Sequence, residues 1–376
     1  MHSIRWLQLK SDFLTMKKLL VSLFVFTLPF LATTQNNQDS IDISYIGEVN
    51  DTVRNESFFE TDKPLPITLE YDITSFIKNK RNGEYLDAVL TVNYEGMDPI
   101  TKNIRIKARG NFRRGECFFP PLFLNFKTDP IENEELKGLK KIKVVTPCST
   151  TKYGETYVFR EYLVYKIYSV LSEYSFRVRL LDIDYIDTGK KERNYKKFGF
   201  IIEPLGLVSK RNNAMEIDSK IVTGKDVEVE DADRVAFFRY LISDTDWRFK
   251  SGHNIKYLKS LNKISDKVIP VPYDFDFSGF VNTNYSFPQE WASNTNSVLE
   301  REYLGYCRDN KENYLKTIKL FNDKKEEIIN TIKDFRYLSD KEKKSVLDFV
   351  EEFYIEISNP DRFINNLEYF CRGEEF

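Results

Sequence analysis

The sequence predicts an α+β protein of two lobes, a β-rich N-terminal lobe over residues 66–204 and a largely helical C-terminal lobe over residues 205–376. Three observations carry this expectation. The runs ITLEYDI, AVLTVNY and NIRIKAR between Ile67 and Arg109 alternate apolar and polar residues at period two, as half-buried strands do. Beyond Asp276 the apolar residues recur mostly at helical spacing. Between these regions, the strand ending at Glu203 meets Pro204, which has no N–H to donate, so Glu203-Pro204-Leu205-Gly206 reads as a hinge.

Composition bounds the function. Thirty Phe and 22 Tyr among 376 residues provide ample core material, and a net charge of −2 argues against both disorder and a wholesale basic nucleic-acid footprint. There are two histidines and four cysteines, Cys117, Cys148, Cys307 and Cys371, in no zinc spacing. Three disulfide connectivities exist for four cysteines; proximity favours Cys117–Cys148 with Cys307–Cys371.

The N-terminal 34 residues read as an upstream extension followed by a signal peptide starting at Met16. Two lysines precede the apolar run Leu19–Leu31, and small residues follow it. That run is too short for a confident membrane span. The expected mature chain starts near Gln35, carries no membrane span, and is exported to the periplasm, the cell surface or the medium. Residues 35–65 form a loose lead-in, with a strand around Ile41–Ile46.

In the first lobe AVLTVNY and NIRIKAR are expected to form a hairpin. RGNFRRGECFFPPLFLNFK then supplies a basic, glycine-bracketed turn and a strand, LFLNF. Arg105, Lys107, Arg109, Arg113 and Arg114 concentrate positive charge there, and such a turn can hold phosphate through backbone N–H groups and guanidinium forks. After the strand KIKVV, EYLVYKIYSVLSEY reads as a helix with Glu161 in its first turn, where the helix dipole favours a carboxylate. VRLLDIDYID and KFGFIIE follow as an antiparallel pair. In the second lobe, residues 205–225 read as irregular, DADRVAFFRYLIS as a helix, and residues 297–335 as helical. Ser339 with Glu342 forms a capping box, and Asn359-Pro360 starts a last helix.

The chemistry concentrates between Asp244 and Phe280. DTDWRFKSGHNIKYL and VIPVPYDFDFSGF read as two strands with acid and amide side chains at their ends. Asp246, Asn254, Asp274 and Asp276 can then surround one hard cation, and oxygen donors of this kind suit Mg²⁺. Phosphoryl transfer needs such a set, one Asp near the nucleophile and an Asn and an Asp on the metal. The plainer reading is a pair of acid-decorated turns.

This order of parts resembles the spore-coat CotH kinase family and, more distantly, HipA-type kinases. The resemblance is carried by Arg109-Gly110-Asn111, by GFIIE at Gly199–Glu203, by the TDW…HN loop and by PYDFD, within roughly Pro66–Phe280. It implies a two-lobed kinase-like fold. Asp246 would be the catalytic residue near the acceptor hydroxyl. Asn254 and Asp274 would hold the metal, with Asp276 as a second ligand or a structural neighbour. Glu161 would pair with a phosphate-holding base, for which Lys107 and Lys127 are the candidates, and Arg109 joins them. Residues 201–204 would face the adenine, with Glu203 orienting that hinge. The catalytic Asp and Asn of eukaryotic kinases stand five positions apart. Here Asp246 and Asn254 stand eight apart, so WRFKSGH has to bulge.

The function so implied is an exported, ATP- and Mg²⁺-dependent transferase that moves a γ-phosphoryl group to a protein or sugar hydroxyl. The alternative is a catalytically silent secreted scaffold that binds partners through the cleft or the aromatic loop FVNTNYSFPQEW. A metal-dependent phosphoester hydrolase is a third reading, disfavoured by the single nearby histidine, His253.

Overall fold

The computed structural model describes residues 58–262 and 264–373. The expected signal peptide and the strand at Ile41–Ile46 lie outside the described residues. Seven strands form a barrel: β1 (Leu65–Tyr71), β2 (Leu86–Val92), β3 (Ile100–Ala108), β4 (Leu122–Asn125), β5 (Lys141–Val145), β6 (Val178–Asp187) and β7 (Tyr195–Ile202). Their spatial order is β1-β2-β3-β4-β5-β7-β6. Every pairing is antiparallel except β1 with β6, which runs parallel and closes the barrel. That closure departs from the open lobe implied by a kinase-like fold.

The period-two pattern explains the barrel's two faces. Leu69, Leu90, Ile106, Leu124, Val144 and Ile183 are buried in one apolar cluster. The alternate positions face outward, so Lys107, Phe123 and Lys143 form one cross-strand row. On the β5-β7-β6 side the outward residues Val145, Phe200, Ile202 and Val178 are apolar, and they join a second cluster built with the helices.

A short helix, α1 (Ile73–Asn79), is capped by Asp72, whose side chain accepts from the Ser75 N–H. The glycine-bracketed segment is not an open turn; it folds as a five-residue helix, α2 (Phe112–Glu116), with Arg113 buried. The helix α3 (Lys152–Leu171) packs on β6 and β7 and starts nine residues before the expected Glu161, which places Glu161 mid-helix rather than in the first turn. Gly154 argues for a loop there by sequence. In the fold it lets the helix approach the preceding turn, since a Cβ at this position would stand 2.8 Å from the Ser149 carbonyl oxygen.

The stretch after Pro204 is also more regular than its composition suggests: α4 (Leu205–Arg211) and β8 (Ala214–Ile217) form there. Then come α5 (Val229–Leu241), β9 (Ile255–Ser260) and β10 (Ile269–Pro272), and β10-β9-β8 make a small antiparallel sheet. The tail comprises α6 (Lys311–Asp323), α7 (Lys325–Lys333), α8 (Asp340–Ile357) and α9 (Pro360–Phe370), so residues 297–310 are not helical. The Ser339 and Asn359 side chains cap α8 and α9, accepting from the N–H groups of Glu342 and Arg362. Two disulfides, Cys117–Cys148 and Cys307–Cys371, take the pairing that proximity favours. Among the described residues no helix is long and apolar enough to cross a membrane.

Candidate functional site

The site is assembled at the ends of β9 and β10. In that antiparallel pair Pro272 lies opposite Ile255, so Asn254 just before β9 and Tyr273-Asp274 just after β10 come out at one edge. The Tyr273 N–H donates to the Asn254 carbonyl at 3.0 Å. Both Asn254 and Asp274 adopt left-handed backbone, φ +53° and +61°. Asn and Asp tolerate that region better than other non-glycine residues.

The scaffold beneath is a buried ion pair. Arg239 on α5 and Asp244 are both fully buried and hydrogen-bonded to each other. The other Arg239 Nη donates to the carbonyls of Asn254 at 2.7 Å and Tyr273 at 2.9 Å, which ties both strand ends to α5. Asp244 Oδ1 accepts from the Asp246 N–H at 2.8 Å. One arginine thus fixes the backbone on which Asp246, Asn254 and Asp274 sit. Arg239 escaped the sequence reading, although a lone arginine inside AFFRYLI is a recognisable sign of a buried, bonded guanidinium.

The eight-residue interval closes as a bulge. Trp247 and Phe249 turn into the core, the Trp247 indole N–H donates to the Asp244 carbonyl, and a 3₁₀ turn spans Lys250–Gly252. Asp246 and Asn254 therefore meet directly: Asn254 Nδ2 donates to Asp246 Oδ2 at 3.0 Å and to the Asp246 carbonyl at 2.7 Å. His253 Nε2 lies 2.7 Å from the other oxygen, Oδ1. The amide nitrogen being engaged, Asn254 Oδ1 remains as a donor atom for a cation.

Asp274 is half-buried, and its carboxylate receives no hydrogen bond among the described residues; its N–H donates to the Tyr165 hydroxyl of α3 at 3.0 Å. Asp276 is buried, takes the Tyr285 hydroxyl at 2.9 Å, and stands 3.8 Å from Arg113. Among the described residues no group of three or more His, Cys, Asp and Glu side chains is placed to hold a metal. The donors at hand are Asn254 Oδ1 and the Asp274 carboxylate, a small set that fits Mg²⁺ completed by phosphate oxygens and water.

Glu161 is 2% exposed and pairs with Arg113 Nη1 at 3.3 Å, while Arg113 Nη2 donates to the Thr146 carbonyl at 2.6 Å. Lys107 and Lys127, the sequence-based candidates for this partner, are elsewhere. Lys107 stands on the outer face of β3 with its Nζ 5.4 Å from the Tyr85 ring, and Lys127 is exposed beyond β4. The reason is topological: α3 packs on β6 and β7, and the segment reaching Glu161 is α2, drawn in by the Cys117–Cys148 link and the Phe118 N–H bond to the Cys148 carbonyl at 2.7 Å. Burial pushes Glu161 up to about 8 against the pull of Arg113. Burial and the neighbouring Asp274 push Asp276 up to about 7.

The basic group near Asp274 is Lys143 on β5. Burial and the Arg109 charge lower it to about 8, with Asp274 opposing. Lys143 and Lys256 both approach the Tyr273 ring, at 5.5 and 5.3 Å, so they flank the residue before Asp274. Arg109 is within electrostatic reach of Lys143, Glu161 and Tyr273. Glu203, expected at the hinge, is a buried clasp. Arg177 Nη2 donates to its Oε1 at 2.8 Å and Arg211 Nη2 to its Oε2 at 3.1 Å, so it orients Pro204 and has no oxygen left for a nucleotide.

No protein-family model matches this chain, and no curated protein sequence matches it. Among solved structures it is similar to the crystal structure of a Helicobacter pylori proinflammatory kinase, CtkA, at 13% identity and a TM-score of 0.37, with 70% of this chain and 93% of that chain covered.

Proposed function

We propose that the protein is an exported Mg²⁺-dependent phosphotransferase that uses ATP or a related nucleotide and a hydroxyl acceptor on a protein or a sugar. The observation that carries this reading is the direct Asp246–Asn254 contact at the strand edge that also bears Asp274. It gathers the acid and the two hard donors that phosphoryl transfer requires. A bound Mg²⁺ would neutralise phosphate charge and align the transferring group.

Asn254 and Asp274 would hold that cation. Lys143 and Arg109 would take the remaining phosphate oxygens, and Asp276, already engaged by Tyr285, would support Asp274 rather than ligate. Asp246, with one oxygen against His253 and the other against Asn254, would orient the acceptor hydroxyl and take its proton as the new oxygen–phosphorus bond forms and the bond to the leaving diphosphate breaks. Arg113 would keep Glu161 and Asp276 from repelling each other and so hold α3 against the site. Two disulfides suit action in an oxidising compartment.

The test is isothermal titration of the chain from Gln35 with ATP, with and without Mg²⁺, on wild type and Asp274→Asn. Saturable Mg²⁺-dependent binding that vanishes in an intact Asp274→Asn variant supports the assignment. Unchanged binding in that variant sinks it, and absence of any binding at millimolar ATP favours a silent scaffold.

A further inference from the structure

Several surface lysines on the helical tail and the rim of the barrel sit within ion-pair distance of carboxylates. On the outward face of β3, β4 and β5, and on α2 beside it, cations without such partners cluster. Lys107, Arg114, Lys141 and Lys143, together with Arg109 and Lys256 beside them, have no carboxylate within 4 Å among the described residues. Register places these groups together: Lys107 opposite Phe123 opposite Lys143 in one row, and Asn125 opposite Lys141 in the adjoining one. Lys141 Nζ lies 4.5 Å from the Phe123 ring centre. A Cβ at Gly83 would stand 3.7 Å from Lys107 Nζ and 3.9 Å from Arg114 Nη1, so those two cations share one corner. The nearest acidic side chain in register is Asp87, opposite Arg105 at the margin.

Like charges set side by side without counterions are destabilising on their own. A cluster of this kind on a chain of net charge −2 is complementary to an anionic occupant. One nucleotide accounts for part of it. A Mg²⁺-bound nucleoside triphosphate is served by Lys143, Arg109 and Lys256 around Tyr273, which leaves Lys107, Arg114 and Lys141 in excess on the same face. The rings on this face are already covered: Lys107 lies over Tyr85 and Lys141 over Phe123. Bases and sugars need bare rings to stack on, so point-charge recognition of carboxylates is the better fit.

We infer that the acceptor is an acidic polypeptide, drawn to the cleft by the strip of Lys107, Arg114 and Lys141. This rests on the phosphotransferase reading for the word acceptor but not for the binding itself. The test therefore starts with binding: fluorescence anisotropy of a labelled Ser-containing oligoglutamate peptide, with Ser-containing neutral and oligolysine peptides as controls, at low and high salt. Expected is saturable binding of the acidic peptide only, weakened by salt, and about tenfold weaker in Arg114→Glu/Lys141→Glu. ATP affinity in that variant should fall by less than about threefold, since neither residue flanks Tyr273 and Lys141 reaches the nucleotide site only through its field on Lys143. Equal binding of the neutral or basic peptide, or no effect of the double reversal, overturns the inference. So does displacement by heparin or single-stranded DNA at far lower concentration than by oligoglutamate, which would assign the strip to a polysaccharide or a nucleic acid. Binding of the acidic peptide without phosphate transfer from ATP would leave the strip standing and remove the phosphotransferase reading.

Discussion

Arg113→Met tests the electrostatic core of the site. Arg113 is 9% exposed at its side chain and faces two buried acids, Glu161 at 3.3 Å and Asp276 at 3.8 Å, while donating to the Thr146 carbonyl. Methionine fills much of the same volume but leaves both acids without their cation. Breaking a buried pair by removing one partner costs about 3–5 kcal/mol when the survivor must stay charged. Glu161 and Asp276 need not stay charged at low pH. Both are held above the ordinary carboxylate range by burial. In the window between that range and about 8 the native state binds more protons than the unfolded chain, so wild-type stability falls as pH rises through it. Removing Arg113 takes away the one influence lowering both groups and steepens that fall. Urea unfolding should show a loss of about 3–5 kcal/mol at pH 8, shrinking to about 1–2 kcal/mol at pH 5, the remainder being the lost bond to Thr146. Equal losses at the two pH values, or a loss below about 1 kcal/mol at pH 8, would refute the arrangement.

Three further outcomes follow from the same geometry. Lys143, lowered to about 8, should make nucleotide affinity fall as pH rises through that value, because only the ammonium form attracts phosphate; Lys143→Arg should flatten the profile, and a flat wild-type profile would remove Lys143 from the site. Cys117→Ser/Cys148→Ser opens a link of sequence separation 31, worth roughly 3–4 kcal/mol by loop entropy. Because that link also draws in α2, the variant should lose ATP binding before it loses its far-ultraviolet helix signal, and simultaneous loss of both in a urea titration would argue against a local role. Asn254→Gly relieves the left-handed φ of +53° but loses both amide bonds to Asp246, so stability should fall by no more than about 1–3 kcal/mol while Mg²⁺-dependent binding is abolished. Retained binding in that variant would show that the amide is not a ligand.

Much of the fold could be read from the sequence because local pattern governed it. The alternation in β2, β3 and β6, the side-chain caps at Ser339 and Asn359 and the strand stop at Pro204 are all short-range properties. What escaped depends on distant partners. RGNFRRGE has the composition of a solvated basic turn, and Arg113 becomes buried only because Glu161, 48 residues on, waits in a helix whose beginning is masked by Gly154. The parallel β1–β6 pair, which closes the barrel, leaves no local trace. Lys143 and Lys107 belong to equally plausible strands. Only the strand order, with β5 beside β7, puts Lys143 rather than Lys107 next to Tyr273.

The interval between Asp246 and Asn254 shows why spacing alone is a weak guide to such a site. Three extra residues relative to a five-position interval do not separate the side chains, because Trp247 and Phe249 use them to enter the core while Gly252, at φ +61°, turns the chain back. A Cβ at Gly252 would come within 2.5 Å of Ser219 Cβ, so the loop can return along this path only with glycine there. What the chemistry constrains is the pair of endpoints, Asp246 and Asn254, and Arg239 holds both from beneath: it pairs with Asp244, which accepts from the Asp246 N–H, and it donates to the carbonyls of Asn254 and Tyr273. Left-handed backbone at Asn254 and at Asp274 then turns these two residues out of the sheet register. Strain of this kind persists only where surrounding contacts over-determine it, and here one buried guanidinium bonded to both carbonyls supplies that determination.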